Sequence, residues 1–390
     1  MSRFTPEVQK VFDWLVDGAP GCGDAVKVIA KLMPDLVAAG VPVDRFSAAV
    51  KSLHPHVFAR AFGWEPGQAV KVLELSWADA ARPEYASSVV KALYDAPVEV
   101  RVRLDREKTP YVDVGALAAK GITDFLALPL RFMSGATNYT AYATRRAGGF
   151  TDADLEALRH VTRALSRVAE TLVLMRNAVN LLNTYVGRDA GERILKGHIQ
   201  RGDTESIQCV IWFSDLRGFT SLSGERTPME IITVLNQLFD CQVPAIEANG
   251  GQVLKFIGDG MLAIFPLDEK VTAKVAGDKA LAATVQAYAA LDALNQRRAA
   301  ENQPTLRFGV SLHVGEVGYG NIGGANRLDF TAIGTAVNVA SRIEGLTGKL
   351  EKRVLVSERL AQQLTSPTRS VGEFELKGVA QKQKVFEPAG

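Results

Sequence analysis

A heptad pattern of apolar residues constrains the fold of this 390-residue chain more than any other feature. It follows Thr151 and Asp154, whose spacing is typical of a helix N-terminal capping box. The pattern alternates spacings of three and four residues over about four heptads, which predicts one long helix with an apolar seam that pairs in parallel with a second copy of the chain. The alternative is an amphipathic helix that packs on its own domain. The seam residues are Leu158, Val161, Leu165, Val168, Leu172, Met175, Val179 and Leu182.

The long helix separates three segments of different character. Residues 1–150 mix helix and strand patterns, and strict alternation over residues 98–104 predicts a strand. Residues 151–204 comprise the predicted coiled-coil helix and a polar, glycine-interrupted hinge. Residues 205–390 intermix strand and helix patterns, which predicts an α/β or α+β domain.

The C-terminal segment has the clearest order of predicted elements. A Pro in the first turn marks the start of its first helix, and a Gly-Asp-Gly turn predicts a hairpin. The predicted elements are a strand at 207–213, a helix at 227–247, hairpin strands at 253–257 and 261–265, a helix at 271–300 and a strand at 306–313.

Composition narrows the class of protein. The net charge is only +2 and the basic residues are scattered, so no nucleic-acid partner is expected. Cys22, Cys209 and Cys241 are far apart, which argues against a disulfide framework or a zinc site. The first residues lack a hydrophobic signal core, and no apolar run approaches the ~20 residues of a membrane span. We therefore expect a soluble, cytoplasmic protein without a membrane span.

Two aspartates are candidate metal ligands. Asp215 ends a predicted buried strand, where a Gly-containing turn leads toward a helix, and Asp259 lies at the hairpin tip. Each also has a structural explanation, because Asp is common in turns and Asp-Gly is a strong hairpin signal. If the two strands are neighbours, however, the carboxylates could hold Mg²⁺ beside a triphosphate.

Several cationic and amide side chains are candidate ligand contacts. Lys255 on the hairpin is either a snorkelling edge residue or a donor to a ligand. Asn338 and Arg342 share one face of the helix that Gly334 opens, either as a solvated pair or as a clamp for a ribose and a phosphate. Lys377, near a predicted strand end, has no distinguishing feature on its own.

Five blocks of this segment together resemble class III adenylate and guanylate cyclases. The resemblance covers about residues 205–388 and implies a ferredoxin-like βαββαβ core. It also implies a homodimer, since each active site of this family lies between two catalytic domains. In chain order the blocks are FSDLRGFT, VLKFIGDGMLAIF, RFGVSLHVGEV, TAIGTAVNVASRIE and FELKGV.

The resemblance also implies residue roles. Asp215 and Asp259 match the aspartates that bind two Mg²⁺ or Mn²⁺ ions. Asn338 and Arg342 match the residues that orient the ribose and stabilise the α-phosphate. The turn at residues 213–220 is expected to hold phosphates by its backbone. The expected substrate contacts are Phe213, Ser214, Leu216, Arg217, Gly218, Phe219 and Thr220 of the turn, Arg307 and Lys377 for the phosphates, and Lys255 and Thr331 for the purine base.

The base-contacting pair favours ATP. Lys255 is a pure donor and suits a ring-nitrogen acceptor of adenine, whereas Thr331 can accept from the exocyclic amine. Guanylate members typically carry Glu and Cys at these positions. We therefore expect an adenylate cyclase that forms cyclic AMP and pyrophosphate by two-metal, in-line attack of the ribose 3′-OH. The alternatives are a guanylate cyclase and a catalytically silent, nucleotide-binding regulatory homologue.

In such a homodimer the two chains contribute different residues to each site. One chain provides the aspartates and Arg307, and a monomer is expected to be inactive. The other chain provides Lys255, Thr331, Asn338, Arg342 and Lys377.

The N-terminal segment loosely resembles GAF-type sensory domains of bacterial cyclases over about residues 20–180. The resemblance rests on residues 40–45, 53–56 and 64–67, and on the Phe-Thr-Asp that precedes the long helix. It implies an α/β regulatory domain for an unidentified small-molecule effector. His54 and His56 flank a Pro in an extended segment, which is more typical of a structural role than of metal binding.

Overall fold

The computed structural model describes residues 4–379 and 381–389, with all side chains except those of residues 220, 221 and 225. The chain divides into two compact units, Met1–Leu181 and Leu182–Gly390, which we call unit 1 and unit 2. Among the described residues, no helix is both long and apolar enough to cross a membrane.

Unit 1 is built on an antiparallel sheet with helices on both faces. Its strands are β1 (Arg45–Lys51), β2 (Val57–Trp64), β3 (Lys71–Ser76), β4 (Val100–Val102), β5 (Asp124–Arg131) and β6 (Thr137–Thr144). Its helices are α1 (Pro6–Val16), α2 (Ala25–Ala38), α3 (Trp77–Ala80), α4 (Pro83–Ala86), α5 (Val89–Asp95), α6 (Val112–Ala118) and α7 (Asp152–Tyr185). The strand order is β3-β2-β1-β6-β5-β4. The strand predicted over residues 98–104 is therefore present but shorter.

Two hydrophobic cores fill the opposite faces of this sheet, because successive strand residues point to opposite sides. Phe46 and Ala48 of β1 face the core shared with α1, α2 and α7. Ala49 faces the second core, which contains Leu93 of α5 and Leu117 of α6.

Helix α7 begins as predicted, with a capping box. The backbone N–H of Thr151 donates to the Asp154 carboxylate at 2.7 Å, and the N–H of Asp154 donates to the Thr151 hydroxyl at 3.2 Å. Two orphan donors of the first turn are thereby satisfied.

The first half of the apolar seam corrects the coiled-coil prediction. Leu158, Val161, Leu165 and Val168 are at most 8% exposed and lie in the core of unit 1. Pairing of this half with a second chain is therefore wrong, because the sheet of the same chain already covers it. Residues 151–181 belong to unit 1, and only Leu182 onward belongs to unit 2. Met175 is 61% exposed, so pairing of the second half stays a prediction.

Unit 2 contains an eight-stranded sheet. Its strands are β7 (Thr204–Leu216), β8 (Gln252–Ile257), β9 (Gly260–Pro266), β10 (Phe308–Gly324), β11 (Arg327–Ile333), β12 (Val354–Ser357), β13 (Thr368–Phe374) and β14 (Gln383–Pro388). Its helices are α8 (Arg188–Leu195), α9 (Phe219–Glu225), α10 (Pro228–Ala248), α11 (Ala273–Ala300), α12 (Thr335–Lys349) and α13 (Glu358–Ala361). The order is β13-β14-β12-β10-β7-β9-β8, and β11 pairs with β10.

The core of unit 2 has the predicted ferredoxin-like topology. The chain order β7-α10-β8-β9-α11-β10 gives four antiparallel strands in the spatial order β10-β7-β9-β8. Helix α10 begins at Pro228 after a Thr227–Glu230 capping box. Together with α11 it covers one face of the sheet, and β11 and α12 cover the other.

Strand β10 is longer than residues 306–313 because a glycine-rich stretch continues it. Gly320 has a φ of 154°, and a Cβ there would lie 2.7 Å from the Cα of Thr204. Glycine is therefore required for the close approach of β10 to the start of β7. This extension pairs with β11, where Gly320 lies opposite Thr331.

Candidate active site

The two candidate metal ligands lie side by side. Strand β9 pairs with β7 so that Met261 is opposite Ser214, which places the hairpin tip beside Asp215. Gly260 permits this approach, since a Cβ there would lie 2.8 Å from the Ser214 carbonyl oxygen. The carboxyl group of Asp259 is close enough to that of Asp215 for its charge to raise the pKa of Asp215. The structure thus satisfies the condition on which the metal-site prediction depended.

Electrostatics at this pair favours a cation. Burial and the neighbouring charge of Asp259 raise the pKa of Asp215 to about 6, and burial raises the pKa of Asp259. Two adjacent carboxylates resist ionising together, and a bound divalent cation would relieve this repulsion. The described residues contain no group of three or more His, Cys, Asp or Glu suited to a metal. A cation held by this pair would therefore need further oxygen ligands, as Mg²⁺ accepts from phosphates.

The side chains of the turn at residues 213–220 support its backbone. Ser214 donates to the Gln242 side chain at 2.6 Å in the core, and Leu216 is buried. Phe213 and Phe219 pack against hydrophobic clusters on opposite faces of the sheet. None of these side chains is free for a ligand, so any phosphate contact here belongs to the backbone.

Gly218 redirects the chain between strand and helix. Its φ of 73° is left-handed, and it is the residue from which α9 begins. The Thr220 side chain lies outside the described residues.

Arg217 differs from its predicted role as a substrate contact. Its backbone N–H donates to the Arg307 carbonyl at 2.7 Å, so this N–H is not available to a phosphate. Its guanidinium extends into the domain, with Nη2 3.3 Å from Oε1 of Glu344 on α12. Gly348 leaves the room for it, since a Cβ there would lie 2.6 Å from Arg217 Nη1. The side chain of Arg217 is committed to this internal pair.

Glu344 was not identified from sequence, although it lies two residues after Arg342. It is 5% exposed, and the Thr347 hydroxyl lies 3.1 Å from its Oε1. Burial raises the pKa of Glu344 to about 7, with Asp215 adding to this and Arg217 opposing it. The Arg217–Glu344 ion pair thus connects the end of β7, which carries Asp215, to α12.

Arg307 lies at the same end of the sheet as Asp215. It directly precedes β10, in which Gly309 is opposite Asp215. The Arg307 side chain is exposed, while its carbonyl accepts from Arg217. This position is compatible with the predicted contact to terminal phosphates.

The predicted base-contacting residues lie where β8 meets β11. Lys255 Nζ is 2.6 Å from Oδ2 of Asp329, and Thr331 follows two residues later on the same face of β11. The Thr331 hydroxyl is buried and has no hydrogen-bond partner among the described residues. Lys255 and Thr331 are therefore brought to one region. Asp329 was missed, and its period-two spacing from Thr331 is the signal that could have indicated it.

Helix α12 has one buried face and one exposed face. Successive helix residues are separated by about 100°, so Arg342 and Glu344 lie on nearly opposite sides. Glu344 faces inward to Arg217, whereas Asn338 and Arg342 are exposed. Asn338 and Arg342 therefore lie on a different face of α12 from Glu344, which meets Arg217 next to the end of β7.

Lys377 is also separate from the carboxylates within one chain. It is exposed in the turn that follows β13. That strand is at the opposite edge of the sheet from β8, and β14, β12 and β10 lie between it and β7.

In the N-terminal unit, His54 has a structural role. Its Nδ1 accepts from the backbone N–H groups of His56 and Val57 at 3.1 and 3.2 Å.

Residues 203–387 match the model of the adenylate and guanylate cyclase catalytic domain. Over 174 residues the chain is 37% identical to an adenylate cyclase of Anabaena cylindrica, covering 44% of this chain and 33% of the relative. Over 220 residues it is 29% identical to adenylate cyclase 1 of Rhizobium meliloti, covering 55% of this chain and 32% of the relative. The chain thus spans about a third of the length of these relatives.

A solved structure of a bacterial light-regulated adenylyl cyclase has the same fold. Its TM-score is 0.50 at 20% identity, over 66% of this chain and 83% of that chain.

Unit 2 combines a ferredoxin-like sheet with two neighbouring aspartates at one end of that sheet. Residues 203–387 are a class III catalytic domain of the adenylate and guanylate cyclase family, which confirms the resemblance seen in sequence. The match does not extend to unit 1, whose GAF-like identity stays a prediction.

Proposed function

We propose that this chain is an adenylate cyclase that converts ATP to 3′,5′-cyclic AMP and pyrophosphate. The observation that carries the proposal is the pairing of β7 with β9, which places Asp259 beside Asp215 at the end of the core sheet. Two adjacent, partly buried carboxylates without a cationic partner destabilise the folded domain unless a bound cation offsets their charge. A triphosphate with divalent cations is the substrate that such a pair suits.

The active site is proposed to form between two copies of the chain. Asn338 and Arg342 lie on the face of α12 opposite Glu344, which is directed to the Asp215 strand of the same chain. We therefore assign the aspartates of one chain and Asn338 and Arg342 of the other chain to the same nucleotide. A two-fold axis would then generate two equivalent sites.

The side chains of the site are proposed to act by orienting the substrate and by stabilising charge. Two divalent cations, held by Asp215 and Asp259, would supply Lewis acidity toward the phosphates. Asn338 orients the ribose so that its 3′-oxygen attacks the α-phosphorus in line. Arg342 stabilises the charge that accumulates on the α-phosphoryl oxygens.

The reaction exchanges one phosphorus–oxygen bond for another. The bond from the 3′-oxygen to the α-phosphorus forms, and the bond to the bridging oxygen of the β-phosphate breaks. Pyrophosphate leaves, and the hydroxyl proton passes to solvent. Arg307 and Lys377 offset the negative charge of the leaving group.

Adenine is the proposed base because of the groups near Thr331. Lys255 presents only donors, and its contact with Asp329 holds the ammonium group beside β11. The Thr331 hydroxyl lacks a partner among the described residues and can accept from the exocyclic amine of adenine. Guanine carries an N–H at the ring nitrogen where adenine has an acceptor, and the donors of Lys255 do not complement that N–H.

The direct test is product formation by the purified full-length chain, offered ATP or GTP with Mg²⁺ and separately with Mn²⁺. We expect cyclic AMP from ATP, with specific activity that rises with protein concentration as dimers form. Preferential use of GTP would overturn the base assignment. No product from folded dimers with either nucleotide would indicate a silent, nucleotide-binding homologue.

Unit 1 is proposed to be a regulatory domain for a small-molecule effector. A cavity of about 590 Å³ lies on the sheet face that carries α5 and α6, within the usual range for ligand pockets. It is lined by Ser47 and Tyr139, which hydrogen-bond at 3.1 Å, and by Asp113, whose pKa is raised by burial.

Helix α7 is the proposed connection between the regulatory unit 1 and the catalytic domain, because it continues past Leu181, the last residue of unit 1, to Tyr185. Insertion of one residue after Asn177 rotates the remainder of the helix by about 100° relative to unit 1. We expect a several-fold change in cyclase activity at unchanged thermal stability of unit 1. Equal activity would indicate that α7 is a passive tether.

A further inference from the structure

Unit 1 has a second feature that the proposed function does not use. A groove of about 570 Å³ lies between α7 and the end of β5. Four arginines line it, namely Arg131 from β5 and Arg159, Arg163 and Arg167 from α7, against one carboxylate, that of Glu99. With Glu170, which pairs with Arg167, the four arginines of the groove exceed the neighbouring carboxylates by two.

The three helix arginines form one stripe. They recur every four residues, so they lie on one face of α7 and span about 12 Å along its axis. Like charges at this spacing destabilise a helix slightly. Neither helix stability nor core packing explains the stripe.

Contacts within unit 1 hold three of these guanidinium groups in place. Arg159 makes two bonds of 2.7 Å to Glu99, and Arg131 donates to the Pro97 carbonyl at 2.7 Å. Arg167 lies 2.9 Å from Glu170 and also donates to the Arg131 carbonyl. These guanidinium groups are thus held in place by protein acceptors and would act on a ligand mainly through their charge.

Arg163 is different. It lies in the middle of the stripe, is exposed, and forms no ion pair or hydrogen bond with the described residues. The groove therefore has a free guanidinium between two fixed ones. The hydroxyls of Thr162 and Ser166 nearby already donate to carbonyls of their own helix, so charge rather than hydroxyl chemistry dominates the site.

We propose that this groove binds an anion with two or more phosphate groups. Guanidinium forks match phosphate oxygens in a bidentate manner. A stripe of about 12 Å suits several linked or neighbouring phosphates better than a single carboxylate. The same chemistry could come from a free polyphosphate or from phospholipid head groups. The inference concerns unit 1 and does not rest on the proposed catalytic activity.

The test uses the full-length chain in EDTA, so that metal-dependent binding at Asp215 and Asp259 does not contribute. Tripolyphosphate binding is measured by calorimetry for wild type, Arg163→Glu and Arg163→Lys. Arg201→Glu, an exposed arginine of unit 2, is the control for net charge. In parallel, sedimentation with vesicles of phosphatidylcholine, with and without phosphatidylserine, probes lipid head groups.

We expect tripolyphosphate to bind at least tenfold more weakly to Arg163→Glu, and near-normally to Arg163→Lys and Arg201→Glu. Rising salt should weaken the wild-type affinity steeply. Selective sedimentation with phosphatidylserine vesicles, lost in Arg163→Glu and competed by tripolyphosphate, would support the same site with a lipid source. Absence of binding to both probes, or equal binding by folded Arg163→Glu, would overturn the proposal. Thermal unfolding confirms folding, and Arg163 has no partner among the described residues whose loss would destabilise unit 1.

Discussion

At the scale of single residues, the catalytic domain carries features that cost stability until a ligand arrives. Asp215 and Asp259 place two carboxyl groups in contact. Thr331 buries a hydroxyl that lacks a partner among the described residues. Unsatisfied groups of this kind in a folded protein are expected where binding compensates them.

Replacement of either aspartate by Asn should abolish turnover, because a neutral amide does not replace a carboxylate ligand of a hard cation. Without metal the variants should be as stable as wild type, since a like-charge contact is removed. Thermal unfolding with and without Mg²⁺ and nucleotide checks this, and only wild type should be stabilised. Substantial cyclase activity in either purified variant would refute the metal-site assignment.

Thr331→Val should separate stability from function. Val has nearly the shape of Thr without the hydroxyl, so the free energy of unfolding should rise by about 1 kcal/mol. We expect kcat/KM for ATP to fall about fivefold, which corresponds to the loss of one hydrogen bond worth about 1 kcal/mol. Denaturant unfolding and steady-state kinetics measure both effects. A destabilised variant with normal kinetics would show that the hydroxyl serves the fold alone.

At the scale of elements, α12 has one face directed to the core of its own domain and one face that is proposed to contact the nucleotide. Its inner face holds Glu344 against Arg217, next to the strand that ends with Asp215. Its outer face presents Asn338 and Arg342. In a two-fold dimer, the same helix would therefore be fixed to one active site while it serves the other.

Breaking the Arg217–Glu344 pair should affect both stability and the chemical step. Arg217→Met leaves the buried Glu344 without its cation. Because the pKa of Glu344 is already raised to about 7, the carboxyl then takes up a proton, and the protein should be destabilised by about 1 kcal/mol. Glu344→Gln keeps shape and hydrogen bonding and should cost about 1 kcal/mol. For both variants we expect kcat to fall at least about tenfold while KM changes little, because α12 is displaced rather than a binding group removed.

Glu351→Gln, at an exposed position just after α12, is the control. If Glu344→Gln is folded and has wild-type kcat, the pair is structural and does not position the helix.

At the scale of the whole molecule, the proposed site needs two chains, and unit 1 would control how they meet. The first half of the α7 seam is buried inside unit 1, so it cannot be the dimer contact. Dimerisation would then rest on the catalytic domains and on the more exposed second half of the seam, which includes Met175.

Mixed dimers test the two-chain site directly. Asp215→Asn and Arg342→Ala homodimers should each be inactive. In a mixed dimer one site carries both substitutions and the other carries neither. With random exchange, half of the dimers are mixed and each has one of two sites intact, so about a quarter of wild-type activity should return. Cyclic AMP formation after mixing measures it, and no recovery despite proven exchange would contradict a shared site.

Short-range patterns in the sequence predicted the order of the core elements of the catalytic domain and the starts of several helices. The Thr227–Glu230 capping box, the Gly-Asp-Gly hairpin and the capped start of α7 are each local in the chain, so their chemistry predicts them. The family motifs likewise determined the candidate site residues. Tertiary structure alone decided which partner each side chain meets.

The clearest examples are long-range contacts. Arg217 turns inward because Gly348 leaves room on α12 and Glu344 supplies a charge. The first half of the α7 seam is covered by its own sheet rather than by a second chain. Asp329 meets Lys255 because β11 lies against β8. The sequence shows that an apolar seam must be covered or that a charge must be paired. Only the fold determines which residues cover the seam or pair with the charge.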